Sequence, residues 1–355
     1  MPLTKSVSDW WFTILLLVQE QKLRLPDINH TNESPRLAGA RRFSIMTKAT
    51  FVFISCVLLS LPLVLSAGQI SIETQLLICT PFILILGIPH GAIDNTLYLR
   101  NNTISNTAFI SSYLVLIAAN IAIWIFLPAL AYLIFLLLSA YHFGQSQFSH
   151  HFSKTSIAEQ ALFLFWGGSL LTGFVYFNHA EISSIINNNI EFSVFRNIHG
   201  LDLTLYLLVA LSTLTLFLLG VLFVRKLIKL EAILMEILVL LLVMASFYLM
   251  PLLIGFSLYF IILHSFKVLR EEYNFLKKEE ITSSLFDFTK LIAPFTILSI
   301  FGILFLYGLI YFDFLGLSYG YGLLVIISSI TLPHVFVMNR FYNLLSRKNL
   351  VETMS

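Results

Sequence analysis

The chain has 355 residues, of which 58% are hydrophobic and only 11% are charged, whereas an ordinary soluble domain has about 25% charged residues. This composition excludes a soluble globular protein and indicates an integral membrane protein. The net charge of +2 is too small to argue for nucleic-acid binding, and the two cysteines, Cys56 and Cys79, both lie in apolar segments, which excludes a disulfide framework.

Apolar runs bounded by charged residues, Gly, Pro or Asn clusters predict ten membrane spans. We therefore expect an all-α fold, a polytopic transmembrane helical bundle without a separate soluble domain. Two junctions, Leu127-Pro128 and Met250-Pro251, are so short that each must join a tight helical hairpin, with Pro in the first turn of the second helix. The predicted spans are 49–66, 72–90, 108–126, 128–147, 157–177, 203–224, 232–250, 252–268, 291–312 and 317–338.

The domain organisation follows from these spans. Residues 1–45 form an N-terminal extension, 46–345 a single transmembrane bundle and 346–355 a cytoplasmic tail. The extension contains an apolar run too short to span, followed by a polar, Arg-bearing stretch; it is either an interfacial amphipathic helix or a segment ahead of a native start at Met46. The polar loop at 178–202 is expected to carry a short surface helix.

The basic residues predict the orientation of the bundle. If the spans alternate in direction, 14 of the 15 Lys and Arg residues from Lys48 onward lie on one side, and only Arg196 lies on the other. By the positive-inside rule the first side is the cytoplasm. An error in the number of spans would destroy this regularity, so the pattern supports the count as well as the orientation.

Four histidines lie at the ends of predicted spans that all run in the same direction. His90 ends the second span, His142 lies near the end of the fourth, His264 near the end of the eighth and His334 near the end of the tenth. Taken singly, each is most simply an interfacial or capping residue, but ionisable groups in a membrane normally face the bundle interior. Because all four lie at one level, their rings are predicted to converge on one point in the cytoplasmic half of the membrane. The other five are most simply solvated, although His150 and His151 are close enough to the predicted site to keep a minor role there: His30, His150, His151, His179 and His199.

Four converging imidazoles predict a metal centre, because neutral imidazole is a common ligand of Zn, Cu, Fe and Ni. A closed four-histidine zinc site would have no evident role inside a membrane. Four nitrogens around Fe(II) leave two octahedral positions for dioxygen or water, which suits oxygen chemistry. No thiolate lies at this level, which disfavours an iron–sulfur cluster.

Polar neighbours of two of these histidines are candidates for supporting the ligands. Asp94 follows His90 by four residues and is predicted to accept the N–H of a ligating imidazole, although a helix cap is the simpler alternative. Tyr141 and Gln145 flank His142 and are expected to form hydrogen bonds within the site. Gly91 would allow a close approach of backbone or ligand.

Four motifs carry a resemblance to a known family. They are G-I-P-H-G-A-I-D at 87–94, S-A-Y-H-F-G-Q-S at 139–146, L-H-S at 263–265 and T-L-P-H at 331–334. With these motifs the chain resembles the Brp/Blh family of membrane-bound bacterial and archaeal beta-carotene 15,15'-dioxygenases. The first two are specific and the last two are short, and together they cover the bundle but not the first 45 residues.

The resemblance implies cleavage of the central double bond of beta-carotene by dioxygen and Fe(II), giving two molecules of retinal, in the cell membrane of a bacterium or archaeon. His90, His142 and His264 match histidines regarded as iron ligands, and His334 matches a C-terminal Pro-His. The family often has a second histidine one helical turn after the third, where this chain has Val268, so either His334 completes the set or the site is incomplete. A further departure is Gln147, which stands where an acidic residue is common.

The implied partners are beta-carotene delivered from the bilayer, dioxygen and membrane lipid, with no nucleic acid. Two alternatives stay open on the sequence: a bis-histidine haem protein and a non-catalytic accessory protein of retinal synthesis. A retinal-binding rhodopsin is disfavoured because no span has a central lysine, and a transporter because the chain shows no repeat symmetry. Membrane desaturases are disfavoured because the chain has neither H-x-x-x-H nor H-x-x-H-H.

Overall fold

The computed structural model describes residues 35–99, 104–152 and 156–354, and within these ranges it contains helices but no strand. The helices are interrupted by two π-helical segments, Ile83–Gly87 and Tyr259–Ser265, and by three 3-10 segments, Ile88–Gly91, Ser149–His151 and Ile190–Phe195. In chain order the α-helices are α1 (Pro35–Ala67), α2 (Ile72–Phe82), α3 (Asp94–Leu99), α4 (Asn106–Phe126), α5 (Pro128–Phe148), α6 (Ile157–Phe177), α7 (His179–Asn188), α8 (Leu201–Val224), α9 (Leu230–Leu249), α10 (Leu252–Leu258), α11 (Phe266–Lys278), α12 (Leu285–Tyr311) and α13 (Tyr319–Met354).

Ten helical stretches of the described chain are long and apolar enough to cross a membrane. The predicted fold class and number of spans are therefore confirmed. Both tight hairpins are present, since α4 ends at Phe126 before Pro128 begins α5, and α9 ends at Leu249 before α10. The spans are Lys48–Ala67, Ile72–Leu99, Asn106–Phe126, Pro128–His151, Ile157–Phe177, Leu201–Val224, Leu230–Leu249, Leu252–Lys278, Leu285–Tyr311 and Tyr319–Ser346.

The eighth span is longer than the hydropathy pattern predicts. The pattern places its end at 268, but the helix continues to Lys278, so Lys267 and Arg270 lie within it rather than in a connection. The extension is amphipathic, and Val268, Phe275 and Leu276 of α11 are buried while its last two lysines are exposed. Charged residues on one side lower the mean hydropathy without breaking the helix, and this explains the early predicted end.

Helical irregularities occur where the second and eighth spans approach the interior. The second passes from α2 through the π segment Ile83–Gly87 into the 3-10 segment Ile88–Gly91, and α3 then begins at Asp94. Pro89 lies in the 3-10 segment, where its missing N–H and fixed φ prevent a regular α-helix. The eighth span has its π segment at Tyr259–Ser265. Such π bulges inside α-helices often mark functional sites.

Small residues allow α5 and α6 to pack unusually closely. A Cβ atom added to Gly144 would lie 1.9 Å from the carbonyl oxygen of Phe163, and one added to Gly167 would lie 1.8 Å from that of Ala140. No larger side chain is compatible with this approach, which is the close packing that small residues give to membrane helices. The contact fixes the position of the half of α5 that contains His142.

Hydrogen bonds between α4 and α13 fix the tenth span in the same way. The Asn120 side-chain amide donates to Ser329 Oγ at 3.0 Å, and the Trp124 indole donates to Ser328 Oγ at 2.6 Å. All four residues are buried. Hydrogen bonds between buried polar side chains are a usual means of joining membrane helices, and these hold α13 against the bundle.

The polar loop between α6 and α8 contains the short helix α7, as predicted. Other expectations fall on residues outside the described ranges, including most of the extension at 1–45. Arg100 and Lys154, on which part of the predicted orientation rests, also lie outside them. The domain boundaries, the native start at Met46 and the cytoplasmic orientation therefore stay predictions.

Candidate metal centre

The four histidines singled out in the sequence lie next to one another in the interior of the bundle. His90 lies in a 3-10 segment, His142 in α5, His264 in a π segment and His334 in α13. Each is at most 7% exposed. Four separate spans therefore bring one imidazole each to a single buried location.

The rings are arranged as two crossed pairs. The rings of His90 and His142 are nearly parallel, at 10°, with centroids 6.4 Å apart. The His264 ring is steeply inclined to both, with its centroid 5.2 Å from that of His90 and 4.9 Å from that of His142. The His334 ring lies 5.1 and 5.0 Å from the same two centroids. His264 and His334 are thus each almost equidistant from His90 and His142, and the four rings form one cluster.

Three of the rings have their Nδ1 atom engaged by a neighbouring group. His90 Nδ1 contacts the carbonyl oxygen of Gly87. His264 Nδ1 lies 3.1 Å from Ser146 Oγ. His334 Nδ1 lies 2.9 and 3.0 Å from the two carboxylate oxygens of Asp94. A partner at Nδ1 fixes the orientation of the ring and, when it accepts the N–H, leaves Nε2 as the basic nitrogen for a metal.

Several of the remaining ring nitrogens have no hydrogen-bond partner among the described residues, although they are buried. These are Nε2 of His264, Nε2 of His334 and both nitrogens of His142. A buried polar atom without a partner is energetically costly, and coordination of an ion is one way in which proteins remove that cost. Here the atoms concerned are metal donors on rings of one cluster.

The carboxylate of Asp94 holds His334, which comes 240 positions later in the chain, rather than its near neighbour His90. The Tyr113 hydroxyl donates to the same carboxylate at 3.0 Å. Gly91 allows the close approach of His334, since a Cβ atom there would lie 3.3 Å from Nδ1 of that ring. Asp94 is thus in contact with a candidate ligand, as a carboxylate that positions an imidazole must be.

Tyr141 and Gln145 contact one another and the tenth span rather than a histidine ring. The Gln145 amide donates to Asn339 Oδ1 at 2.9 Å, and the Tyr141 hydroxyl donates to the same oxygen at 3.2 Å. Asn339 lies five positions after His334 on α13. The two residues therefore connect α5 to α13, the helix that carries His334. Their predicted hydrogen bonds within the site itself stay a prediction.

The donor set fits a transition-metal ion. Metal–imidazole bonds of about 2.1 Å, as in zinc sites, place nitrogens on one ion at most about 4.2 Å apart. One nitrogen from each of His90, His142 and His264 lies within 4.8 Å of the others, so small side-chain rotations suffice for these three to meet this limit. His334 lies outside that group of three, and its ring must move further to share the same ion. Imidazole suits Fe, Zn, Cu and Ni, so the geometry leaves the choice of metal open.

A haem sandwiched between two histidines does not fit this arrangement. Of the ring pairs that His90 and His142 form within the cluster, the pair they form with each other is nearly parallel, as axial ligands of a porphyrin would be. The rings of His264 and His334 lie between them, at the same distance from both. They occupy the plane that the macrocycle would need, which argues against the bis-histidine haem hypothesis.

Val268 lies one turn after His264 and is completely buried. It packs in an apolar cluster that includes Ile93, Met338 and Phe341. A histidine at this position would compete with that packing, whereas His334 already stands beside His90 and His142. The fourth imidazole of this chain is thus on the tenth span.

Aromatic side chains line the side of the centre next to His264. The Phe143 ring meets the His264 ring edge to face at 4.8 Å, and the Phe260 ring stacks on it at 5.5 Å. Phe256 stacks on Phe260 at 5.6 Å, and Phe174 lies 5.2 Å beyond Phe256. An apolar wall of rings therefore extends from the histidines along the bundle interior.

Two polar residues near the centre were not anticipated from the sequence. Ser146 contacts His264. Its position one turn after His142 on the same helix is the feature of the sequence that could have indicated a place near the site. Glu272 is completely buried, neither of its carboxyl oxygens has a hydrogen-bond partner among the described residues, and Asp94 lies close enough to interact with it electrostatically. It lies beyond 268, where hydropathy places the end of the eighth span, and hydropathy therefore gave no sign of its burial.

The histidines assigned to solvent lie apart from these four rings. His179 and His199 contact each other in the connection between α6 and α8, where His179 Nε2 lies 3.1 Å from the His199 carbonyl oxygen. His199 is only 7% exposed, which makes a solvated role wrong for this residue, and burial together with the nearby His179 lowers its pKa to about 4. His150 and His151 lie in the turn after α5, and His30 is outside the described residues.

The comparisons with known proteins give one match. The family model described as Beta-carotene 15,15'-dioxygenase matches residues 81–342, which is more than half of the chain and contains all four histidines. No curated protein matches, and no solved structure matches.

Proposed function

Since the chain belongs to the beta-carotene 15,15'-dioxygenase family, we propose that it cleaves the central 15,15' double bond of beta-carotene with dioxygen and gives two molecules of retinal. The second part of the proposal is that a ferrous ion serves this reaction and is held by His90, His142, His264 and His334. The family makes the chain a carotenoid cleavage dioxygenase in a multi-pass membrane bundle. The metal, its four ligands and the products are the proposed part.

One observation supports the ligand set above all others. Four buried imidazoles from four spans form one cluster, three have Nδ1 engaged, and donor nitrogens of three have no other partner in the described part of the chain. Iron suits this set because four nitrogens leave coordination positions for dioxygen, and bound iron supplies the means of activating it. A structural zinc ion would not explain why a dioxygenase has such a centre.

The protein groups around the ligands have separate tasks. Asp94 accepts the Nδ1–H of His334, which keeps that ring in one orientation with Nε2 as the donor. The Gly87 carbonyl does the same for His90, and Ser146 holds His264. Because these partners are fixed by the fold, the nitrogens are positioned before the ion binds, so binding requires little reorganisation.

The aromatic wall next to His264 is the proposed place for the polyene. Beta-carotene is apolar and partitions into the bilayer, so it reaches the bundle interior between spans without an aqueous channel. The rings of Phe143, Phe260 and Phe256 offer the flat apolar contact that a conjugated chain fits. Central cleavage requires the middle of the chain to lie at the histidines, with the two end rings on either side.

Residues 46–345 are proposed as the single catalytic bundle, in the cell membrane of a bacterium or archaeon. The positive-inside pattern of 14 basic residues supports a metal centre in the cytoplasmic half. On this assignment retinal is released close to the inner face or into the bilayer.

Expression in a bacterium that makes beta-carotene tests the activity. The wild-type chain is expected to remove the orange colour while retinal accumulates, and His334→Ala is expected to leave the carotene intact. His179→Ala, which removes a histidine remote from the centre, is the matched control and should behave as the wild type.

An accessory protein of retinal synthesis would give a different result in vitro. Purified protein loaded with Fe(II) and supplied with beta-carotene in detergent is expected to form retinal without any other protein. Retinal in cells but none from an iron-loaded, correctly folded preparation would contradict the enzyme assignment and support the accessory role.

A further inference from the structure

A second group of metal-binding side chains lies outside the four-histidine centre. It consists of His150 and His151, in the 3-10 turn Ser149–His151, and of Glu236 in α9. One ligand atom from each of the three lies within 4.8 Å of the others. We propose that these residues form a second site for a divalent transition-metal ion, independent of carotene cleavage.

The environment of Glu236 is the first argument for a cation. Its side chain is completely buried, and it lies in the apolar span Leu230–Leu249. Carboxylates within membrane segments are costly and are normally paired or functional. The Gln147 amide donates to one oxygen at 2.5 Å, and His151 Nε2 lies 3.5 Å from the other. Among the described residues, these two contacts come from a neutral amide and a distant imidazole, and neither places a full positive charge on the carboxylate.

In the described part of the chain, the Lys267 ammonium interacts with Glu236 without a direct hydrogen bond to its carboxylate. Lys267 donates to the backbone carbonyl of Gln147 at 2.9 Å and is 3.5 Å from its side-chain oxygen. It therefore contacts the residue that contacts Glu236, and acts on the carboxylate only from a distance. A divalent ion bound directly to the carboxylate would balance the charge, and the lysine would still orient Gln147.

The donor types specify the chemistry of the ion. Two imidazoles and one carboxylate are the ligand set of the facial triad that binds Fe(II) with positions left open, and the same donors bind zinc. Oxygen-preferring ions such as Mg²⁺ and Ca²⁺ are disfavoured because two of the three donors are nitrogens. The proposed ligand is therefore a first-row transition-metal ion.

The group is accessible, unlike the four-histidine centre. His150 is exposed, and the side chain of His151 is 16% exposed. His142 and His150 are eight positions apart along α5 and the turn that continues it, which corresponds to about 12 Å along a helix. One ion cannot serve both groups, so the two sites are expected to fill separately and the accessible one to exchange ions directly with solvent.

Counting bound ions tests the proposal. The purified chain in detergent is stripped with a chelator and titrated with Co(II), whose visible absorption reports nitrogen ligation, and bound cobalt is measured after desalting. We expect two ions per chain for the wild type, one for His150→Ala/His151→Ala, and one for His334→Ala. Glu236→Gln, which keeps the shape and removes the charge, should also lose the second ion, and His179→Ala should retain both.

The outcomes separate this proposal from the proposed function. If the wild type binds one ion that His150→Ala/His151→Ala retains, the second site does not exist, whereas the four-histidine centre stands. If the double variant loses an ion but His334→Ala does not, the second site stands and His334 is not a required ligand of the buried centre. The double variant changes an exposed turn, so it tests the proposal even if Glu236→Gln does not fold.

Discussion

The two histidine groups of this protein differ in almost every physical respect. The buried centre takes one imidazole from each of four spans, and three of its rings are held at Nδ1 by a carbonyl, a hydroxyl and a carboxylate. The turn group uses adjacent histidines, one of them exposed, and Nε2 of His151 lies 3.5 Å from the Glu236 carboxylate. Neighbouring positions in the chain therefore bring two histidine rings close together. Holding a ring in one orientation requires a hydrogen-bond partner from another part of the fold.

The difference has a functional meaning. Ligands that are held in place bind an ion tightly in one geometry, as catalysis requires, whereas ligands accessible to solvent favour exchange. Substitutions in the two groups test this contrast, from the largest expected effect to the smallest.

Removing a ligand of the buried centre is expected to have the largest effect. Alanine in place of His90, His142, His264 or His334 should abolish both iron binding and beta-carotene cleavage, because each ring supplies a donor that no neighbouring residue replaces. Iron content by elemental analysis and retinal formation measure the two effects. Full iron content in all four variants would exclude the buried centre.

Weakening the support of one ligand should have an intermediate effect. Asp94→Asn removes the charge that holds His334, and metal affinity is expected to fall by roughly 10–100-fold, the usual range for such carboxylates. Tyr113→Phe is the matched control, because it removes only the tyrosine contact with the same carboxylate at 3.0 Å. Wild-type metal affinity in both variants would contradict the role of Asp94 in supporting His334.

Removing a neutral partner should have a smaller effect. Ser146→Ala deletes the hydroxyl 3.1 Å from His264 Nδ1, and the loss of one neutral hydrogen bond of about 1 kcal/mol corresponds to roughly a fivefold loss of metal affinity. Ser169→Ala is the control, since that buried hydroxyl donates to the Phe165 carbonyl on its own helix. Equal affinities for the two variants would show that Ser146 does not support the ligand.

Changing the turn group should affect cleavage least. His150→Ala/His151→Ala is expected to keep most of the beta-carotene cleavage of the wild type, because neither ring reaches the buried centre. Initial rates of retinal formation at saturating iron give the measurement. A loss as large as that of His334→Ala would mean that the two groups act as one site, and the contrast between them would not hold.

Prediction from the sequence succeeded where the physical signal is local. Runs of apolar residues bounded by charges gave the ten spans, since a bilayer imposes a length that can be read along the chain. The alternation of spans put His90, His142, His264 and His334 at one level, and the structure brings them together. The prediction was less accurate for the eighth span, whose amphipathic end contains Glu272.

The sequence did not predict which groups contact the histidine rings. The sequence placed Asp94 near His90, but in the folded chain its carboxylate meets His334, because the 3-10 segment after Gly87 turns it toward the tenth span. Glu236 and Gln147 are 89 positions apart, and nothing in either segment indicates their contact. Such contacts depend on how helices rotate and pack, and hydropathy carries no information about rotation.

The sequence by itself determined the class of protein and the number of spans, because hydrophobic length acts residue by residue along the chain. It also predicted a common depth for the four histidines, from the placement of charges. The tertiary structure alone decided that three of the four rings are engaged at Nδ1, that Gly144 and Gly167 bring α5 and α6 into close contact, and that a buried carboxylate lies beside His151. Those features arise from packing between segments that are distant in the chain, where distances of a few tenths of an ångström decide whether a contact forms.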